Sequence, residues 1–376
     1  MILLGASLLA GFLTVLIGTP YLEKYLLSSG IYGIDQQKEE KPKLATSGGI
    51  GVVFGFMISV TTYLGFYSLT KSSGIDISLV LASLSSVSVI ALIGMIDDIH
   101  INLEKYIREE VEIDEFRMEL GESTRMRRPQ ISLERLRIGF LDEKKDEDVH
   151  REGLAQNAKM LFVLPAVLPL IAVGAGSWSM TFPVIGTINW GLIYPLALLP
   201  LGLLFVSNVV NMLAGTNGLS AGMSLVASTA LGVFALMNGE TEAALIAWSL
   251  SSSLLAFFLY NRYPAKILPG DSLTYLSGAA MFAAIVAGNM EKFGVFIFTP
   301  WILEFFLKLR SGFNARSWGK LREDGSLDSF HDRIYSLTHV FMHRGFTEKQ
   351  ITYSLMGIEA AISVLGLILF GVLGVL

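Results

Sequence analysis

Apolar residues dominate this chain in long runs that are separated by short polar segments. A helix needs about 17 or more mostly apolar residues to cross the hydrocarbon core of a membrane, and ten runs reach that length. They cover residues 4–27, 47–69, 78–96, 159–176, 191–213, 219–237, 242–260, 272–288, 293–309 and 353–375. The pattern predicts an all-α polytopic membrane protein with about ten transmembrane helices.

The composition agrees with this fold class. Hydrophobic residues make up 52% of the 376 residues and charged residues 16%, whereas about a quarter of a soluble domain is charged. The mean hydropathy is +0.56. No small-residue cleavage site follows the first run, so we expect a membrane span there and not a cleaved signal. The chain has no cysteine, which excludes disulfides and thiolate chemistry.

The distribution of positive charge predicts the orientation. Ten spans put both termini on one side, and all Lys and Arg residues except Lys71 and Lys292 then fall on the other side. The positive-inside rule makes that second side cytoplasmic and leaves both termini outside. The predicted cytoplasmic loops are 28–46, 97–158, 211–218, 261–271 and 310–352.

One of these loops contains a charged insertion within what we interpret as a single transmembrane domain, residues 1–376. Residues 101–156 carry 15 acidic and 11 basic side chains and few large apolar ones. Stretches of it have the i,i+4 charge pairing of a surface helix. A solvated insertion and an arm that docks a partner both fit this composition.

Carboxylates at the cytoplasmic ends of spans are the first candidates for chemistry. The sequence GMIDDIH, residues 94–100, ends the third span on Asp97 and Asp98, and Asp271 directly precedes the eighth. Asp271 fits either a helix N-cap or a metal ligand. Three carboxylates at one aqueous mouth would repel one another unless a cation such as Mg²⁺ bridges them, together with bound phosphates.

Two further loops combine glycine with polar residues. KPKLATSGGIG, residues 41–51, fits either a glycine-rich phosphate cradle with a lysine or an ordinary turn beside the membrane. SNVVNMLAGTNGLSAG, residues 207–222, fits either the wall of a pocket or a tight turn between helices. Asparagine amides supply neutral oxygen ligands for Mg²⁺ and both donors and acceptors for a base or a sugar.

The last predicted cytoplasmic loop is rich in arginine and histidine. Arginine forks suit phosphate recognition, although an arginine beside a membrane can also serve only to set the topology. His339 and His343 are four residues apart and would share one helical face, but no third zinc ligand is apparent. The loop contains Arg316, Arg322, Arg333, Arg344, His331, His339 and His343.

Taken together and in this order, these motifs resemble the polyprenyl-phosphate N-acetylhexosamine-1-phosphate transferase family. NVVNMLAGTNGLSAG and YNRYPAKILPGDSLTYLSG are similar to the eukaryotic dolichyl-phosphate GlcNAc-phosphotransferase, while THVFMHRGFTEKQ is similar to bacterial members. The likeness covers nearly the whole chain apart from 101–156. The mixture of features indicates an archaeal member.

The resemblance implies roles for individual residues. It places Asp271 and Asn211 at Mg²⁺, for which Mn²⁺ would substitute. Asp97 and Asp98 match the acidic pair of the family, with Asp98 favoured for handling the acceptor phosphate, and Lys159 matches a lysine near the phosphates. The positions implied for substrate contacts are Leu44, Gly215, Asn217, Leu268, Arg316 and His339.

The implied reaction joins a UDP-N-acetylhexosamine to polyprenyl or dolichyl phosphate and releases UMP, as the first membrane step of lipid-linked glycan synthesis. UDP-GlcNAc is the favoured donor, with UDP-GalNAc or a modified acetamido sugar left open. A homodimer is compatible with the resemblance, and no nucleic acid is expected. The alternative is a nucleotide-sugar transporter, which would place its polar groups near the membrane midplane. A CDP-alcohol phosphotransferase would need further aspartates where residues 99–101 read Ile-His-Ile.

Overall fold

The computed structural model of the protein describes residues 2–70, 74–98, 141–146, 149–154, 163–182 and 186–374. Its helices, in chain order, are α1 (Ile2–Ser28), α2 (Gly49–Leu69), α3 (Ile77–Asp98), α4 (Val163–Ala172), α5 (Tyr194–Met212), α6 (Leu219–Met237), α7 (Thr241–Asn261), α8 (Gly270–Ala287), α9 (Glu291–Ile297), α10 (Thr299–Leu309), α11 (Leu337–Met342) and α12 (Glu348–Val372). Eight of these are long and apolar enough to cross a membrane: α1, α2, α3, α5, α6, α7, α8 and α12. The predicted polytopic all-α fold is confirmed.

The other two predicted spans differ in detail. The span at 293–309 consists of two helices in series, α9 and α10. Pro300, in the first turn of α10, has no amide hydrogen to continue the helical ladder. In the span at 159–176 the described part holds only the short helix α4, and residues 159–162 lie outside the described ranges.

Within the described residues, β structure is confined to four two-stranded antiparallel hairpins. The pair β3–β4 falls in the insertion predicted at 101–156. Residues 101–140, 147–148 and 155–156 of that insertion lie outside the described ranges, so its role stays a prediction. The strands are β1 (Tyr32–Ile34), β2 (Lys43–Ala45), β3 (Leu141–Asp146), β4 (Val149–Leu154), β5 (Ser179–Phe182), β6 (Gly186–Asn189), β7 (Gly319–Leu321) and β8 (Leu327–Ser329).

Helix α8 lies at the centre of the bundle and contacts α2, α3, α5, α6 and α7. Nearly all of its residues are buried, and many of them are Gly, Ala or Ser. Small residues let helix backbones approach closely where no hydrophobic effect drives helices together. A Cβ on Gly278, for example, would lie 2.7 Å from Cα of Ser207 in α5. The first turn of α8 carries Asp271, so this packing fixes the position of that carboxylate.

Two glycines let neighbouring helices approach the start of α8. A Cβ on Gly94 of α3 would lie 2.7 Å from the carbonyl oxygen of Asp271, and one on Gly49 of α2 would lie 2.6 Å from Cα of Leu273. Real Cβ atoms do not reach such distances without a shift of the backbone. The start of α8 is therefore held between α2 and α3.

We expect Gly49→Ala to lower thermal stability and activity together, because the added methyl group would displace the first turn of α8. Overpacking of this kind costs about 1–3 kcal/mol. The matched control is Gly65→Ala in the same helix, where a Cβ would meet nothing within 4 Å. Thermal unfolding in detergent and turnover should distinguish the two variants, and equal behaviour would contradict the close packing at Gly49.

Candidate active site

A cleft of about 1460 Å³ opens at one end of the bundle. Four segments that are far apart in the chain build its wall: the β1–β2 connection, the α5–α6 loop, the start of α8, and the α10–α11 loop with its β7–β8 hairpin. We call this end of the bundle the loop face. The lining residues include Asp35, Gln37, Lys38, Asn211, Gly215, Asn217, Leu268, Asp271, Arg316, Trp318 and Phe330.

The two predicted metal-binding residues, Asn211 and Asp271, meet in this cleft. Asn211 lies in the last turn of α5, and its Nδ2 donates to Oδ2 of Asp271 at 3.3 Å. The hydroxyl of Thr274 donates to Oδ1 of Asn211 at 3.1 Å and so orients the amide. The amide nitrogen of Asn211 thus faces the carboxylate of Asp271, while its oxygen accepts from Thr274. A carboxylate and an amide are both side chains whose oxygens Mg²⁺ accepts.

Asp98, the last residue of α3, caps the start of α8. Its Oδ1 accepts the amide hydrogen of Asp271 at 2.6 Å, and its Oδ2 accepts that of Ser272 at 3.0 Å. The first amides of a helix have no partner within the helix, and a carboxylate there also interacts favourably with the helix dipole. Asp98 therefore holds the backbone on which Asp271 is carried.

This arrangement corrects the expectation of three carboxylates facing one mouth. Among the described residues the cleft wall includes Asp271 but neither Asp97 nor Asp98, and both of these are buried. The charge of Asp98 is balanced by backbone amides, with no need for a bridging cation. Asp271 is also not the N-cap of α8, since the helix begins at Gly270 with Pro269 in the cap position.

In KPKLATSGGIG, the amides of Gly48 and Gly49 donate to backbone carbonyls and do not point into the cleft as phosphate donors. The amide of Gly48 donates to the carbonyl of Leu268 at 2.9 Å, and that of Gly49 donates to Pro269 at 2.8 Å. A Cβ on Gly48 would lie 2.6 Å from the ring of Phe257. These glycines allow close packing beside the start of α8, as in the alternative interpretation of an ordinary turn.

The α5–α6 loop forms a wall of the cleft. Gly215 has φ of +126°, which L side chains rarely adopt, and a Cβ there would lie 3.0 Å from the amide nitrogen of Trp318. Asn217 is buried, and its Nδ2 donates to Oδ2 of Asp35 at 2.9 Å. The loop thus combines a close backbone approach with an oriented amide.

The two predicted apolar contacts are placed differently. Leu268 lines the cleft, and its amide donates to the carbonyl of Ala45 at 2.8 Å. Leu44 lies opposite Gly33 in the β1–β2 hairpin and is not among the described residues that line the cleft. Lys159 lies outside the described ranges, so its placement stays a prediction.

A polar network in the wall of the cleft was missed by the sequence analysis. Glu348, the first residue of α12, accepts the amide hydrogen of Asn217 at 2.7 Å and pairs with Lys38. Lys38 also lies 3.3 Å from Asp35, and the side chain of Gln37 donates to the carbonyl of Gly215. We call these groups the closing network: Asp35, Gln37, Lys38, Gly215, Asn217 and Glu348. Only the mixture of charges in GIDQQKEEK, residues 33–41, hints at it in the sequence.

Arg316 lies in the cleft wall between two aromatic rings. Its guanidinium carbon is 5.6 Å from the ring centroid of Trp318 and 5.3 Å from that of Phe330. Both rings also line the cleft. Stacking on aromatic faces restricts the planar guanidinium, whose fork of N–H donors matches the geometry of phosphate.

His339 lies behind the cleft wall. Its side chain is 0% exposed, Nδ1 accepts the amide hydrogen of Tyr335 at 3.2 Å, and Nε2 is 2.7 Å from the carbonyl oxygen of Arg316. With both ring nitrogens bonded to backbone, the ring has no position from which to touch a substrate. The predicted contact of His339 with the substrate is therefore wrong, and the ring contacts the backbone of Arg316 instead.

Comparison with known proteins finds a matching family model and relatives from archaea and bacteria. The model of the family described as "Glycosyl transferase family 4" matches residues 134–289. A protein of Saccharolobus solfataricus, provisionally named UDP-N-acetylglucosamine–dolichyl-phosphate N-acetylglucosaminephosphotransferase, is 30% identical over 96% of this chain and 95% of its own length. A Sulfolobus acidocaldarius protein of the same name is 29% identical over 96% of this chain and 94% of its own.

A bacterial relative carries a different name. A phospho-N-acetylmuramoyl-pentapeptide-transferase of Prochlorococcus marinus is 28% identical over 62% of this chain and 66% of its own length. The archaeal matches, by contrast, extend over nearly the full length of both chains and therefore include every segment that lines the cleft.

Proposed function

Because the chain belongs to glycosyl transferase family 4, we propose that it transfers N-acetylhexosamine-1-phosphate, most readily GlcNAc-1-phosphate, from a UDP-sugar to a polyprenyl or dolichyl phosphate. An oxygen of the lipid phosphate attacks the phosphorus attached to the sugar, the bond from that phosphorus to the bridging oxygen breaks, and UMP leaves. The product is a lipid-linked sugar diphosphate, the first intermediate of a lipid-linked glycan of the protein N-glycosylation type.

The observation that carries this proposal is the convergence of the predicted motifs on one cleft. Asn211, Gly215, Asn217, Asp271 and Arg316 come from three separate segments and all line it. Phosphoryl transfer depends mainly on in-line positioning and on charge neutralisation. A cleft with hard oxygen ligands, an arginine fork and turn-rich polar walls provides both for a nucleotide diphosphate sugar.

The residues present fit a magnesium ion. Mg²⁺ usually binds one or two protein ligands and fills its remaining positions with water and substrate phosphates, and Asn211 and Asp271 provide one amide and one carboxylate oxygen. We propose these two side chains as the ligands. When bound, Mg²⁺ would neutralise diphosphate charge, and we expect Mn²⁺ to substitute.

The hydrogen bonds of Asp98 change the assignment within the acidic pair. Both of its oxygens already accept backbone amides of α8, so we propose that it positions Asp271. Asp97 is buried as well, so neither carboxylate of the pair is assigned to a proton of the lipid phosphate. That phosphate is largely ionised at neutral pH because its second pKa lies near 6, so a strong base is not needed. Lys159 remains the proposed counter-charge.

We propose that the loop face is cytoplasmic and that both termini are outside, as the distribution of Lys and Arg predicts. A phosphate on a membrane-anchored lipid is confined to the membrane surface. Catalytic groups at the ends of α3, α5 and α8 would meet it there, while the donor enters from water.

The test uses purified protein in detergent with Mg²⁺, a polyprenyl phosphate and a panel of radiolabelled UDP-sugars, and label in the lipid phase is scored. We expect label from UDP-GlcNAc together with release of UMP. Label from UDP-GalNAc alone would support the proposed reaction but change the assigned donor sugar. Binding of UDP-sugars without transfer to any of several polyprenyl phosphates would contradict the transferase and favour the transporter.

A further inference from the structure

The segment 315–317, which carries the cleft arginine, is held by side chains and not by a helix or strand. The ammonium of Lys308 donates to the carbonyl of Ala315 at 2.5 Å. The hydroxyl of Thr338 donates to the carbonyl of Ser317 at 2.6 Å. Since backbone groups in a loop lack regular partners, these contacts determine where the arginine lies.

Two histidines hold the backbone of the arginine itself. The amide of Arg316 donates to Nε2 of His331 at 3.2 Å, and Nε2 of His339 is 2.7 Å from the carbonyl oxygen of Arg316. The centroids of the two rings lie 5.6 Å apart. One residue of the cleft wall is thus fixed at both its N–H and its C=O.

These contacts require specific tautomers. Nδ1 of His339 accepts the amide hydrogen of Tyr335, so the ring proton must lie on Nε2, which donates to Arg316. Nε2 of His331 accepts the amide of Arg316, so its ring proton must lie on Nδ1. These contacts fit neutral rings, because a charged imidazole has two donors and no acceptor.

We infer that His331 and His339 form a neutral clamp that positions Arg316 in the cleft, and that His331 is the half that protonation breaks. A charged His339 would still donate to the carbonyl of Arg316. A charged His331 has no lone pair to accept the amide of Arg316, and the contact becomes a repulsion between two donors. The inference deepens the proposed function, since it rests on Arg316 binding the donor diphosphate.

The surroundings favour the neutral rings. Burial lowers the pKa of both histidines, and the nearby charge of Lys308 lowers both further. Because the pKa of His331 lies below its ordinary value, the clamp is intact above that ordinary value and is lost as pH falls through the lowered pKa. The groups that face the two rings are Lys308, Arg316, Asp332, Arg333 and Tyr335, with Glu304 beyond Lys308 at 3.9 Å.

Nuclear magnetic resonance of the histidine rings tests the clamp without any assay of activity. The chain has five histidines, so protein labelled with ¹⁵N-histidine gives a simple spectrum, and His331→Gln and His339→Gln assign two of its signals. At about pH 7.5 we expect His331 as the Nδ1–H tautomer and His339 as the Nε2–H tautomer. An Nε2–H tautomer or a charged ring at His331 would overturn the clamp.

The affinity for UDP-GlcNAc tests what the clamp does for Arg316. The diphosphate of UDP-GlcNAc does not change charge between about pH 7.5 and 5.5, so a change in its affinity reports on the protein. We expect wild-type binding to weaken several-fold over this interval, and by less than the about tenfold that a histidine with an ordinary pKa would give, because the pKa of His331 is lowered. His331→Gln should weaken less than about twofold, because an amide oxygen accepts the Arg316 amide at either pH.

The matched control is His343→Gln in the same loop, at an exposed histidine that should keep the acid sensitivity of the wild type. Equal acid sensitivity in His331→Gln and the wild type would overturn the role of His331. Absence of UDP-GlcNAc binding at either pH would instead contradict the proposed function, and the ring tautomers would still decide whether the clamp exists.

Discussion

Asp271→Asn should reduce sugar-phosphate transfer by about a thousandfold or more while leaving the fold intact. Asparagine has the same shape, and its amide oxygen can still accept from Asn211, which lies 3.3 Å away. The substitution removes the negative charge that would hold Mg²⁺ beside the donor diphosphate. Turnover measured over a range of Mg²⁺ concentrations checks the prediction, and excess metal should restore little activity.

An exposed carboxylate in the last loop provides the control. Asp328 pairs with Arg322 at 2.8 Å, and both side chains are more than 40% exposed, so the pair contributes little to stability. Asp328→Asn should retain nearly full transfer. If Asp271→Asn also retained near-normal transfer with unchanged Mg²⁺ dependence, Asp271 would not be a metal ligand.

Asp98→Ala should lose both stability and activity, because it removes the acceptor for the amides of Asp271 and Ser272 in the first turn of α8. A buried donor without a partner costs about 1–3 kcal/mol. In Asp98→Ala two backbone amides would lose their partner. Asp98→Asn should be intermediate, because an amide offers only one acceptor oxygen. Thermal unfolding and the Mg²⁺ concentration at half-maximal rate should shift together, since Asp98 supports the metal ligand through the backbone of Asp271.

The opposite end of the same helix offers a matched comparison. Asp76 caps α3 by accepting the amides of Ser78 at 2.9 Å and Leu79 at 3.1 Å, and these bonds are exposed to solvent. Loss of an exposed cap costs about 1 kcal/mol. Asp76→Ala should therefore leave the Mg²⁺ requirement unchanged. A purely catalytic Asp98 would instead give Asp98→Ala inactive protein of wild-type stability.

The membrane helices were predictable because each depends on a continuous stretch of sequence. Lengths of apolar sequence located the eight long helices, but neither the break at Pro300 nor the short helix α4 in the predicted span 159–176 was anticipated. Charge and glycine spacing also located the segments that line the cleft. Asn211 and Asp271 could be paired before their distance was known. Each lies at the end of a predicted span that faces the same predicted side of the membrane.

The contacts between segments were not predictable in this way. Asp98 looks the same in the sequence whether it faces a metal or caps another helix, and the partner amides are more than 170 residues away. The glycines of residues 48–49 carry no mark that distinguishes a phosphate cradle from close helix packing. In the sequence, His339 has the features of a surface ligand in a polar loop. Only the structure shows that it is buried.

The closing network has a consequence for the order in which the protein is made. Domains generally fold from the N-terminus during synthesis, yet Lys38 has a partner in Glu348, more than 300 residues later in the chain. The amide of Asn217 likewise has no acceptor until that glutamate arrives. The cleft is thus completed only when α12 enters the membrane. Nascent chains that lack this helix would reach the bilayer with the amide of Asn217 in the cleft wall without its acceptor, so α12 would complete the proposed donor site.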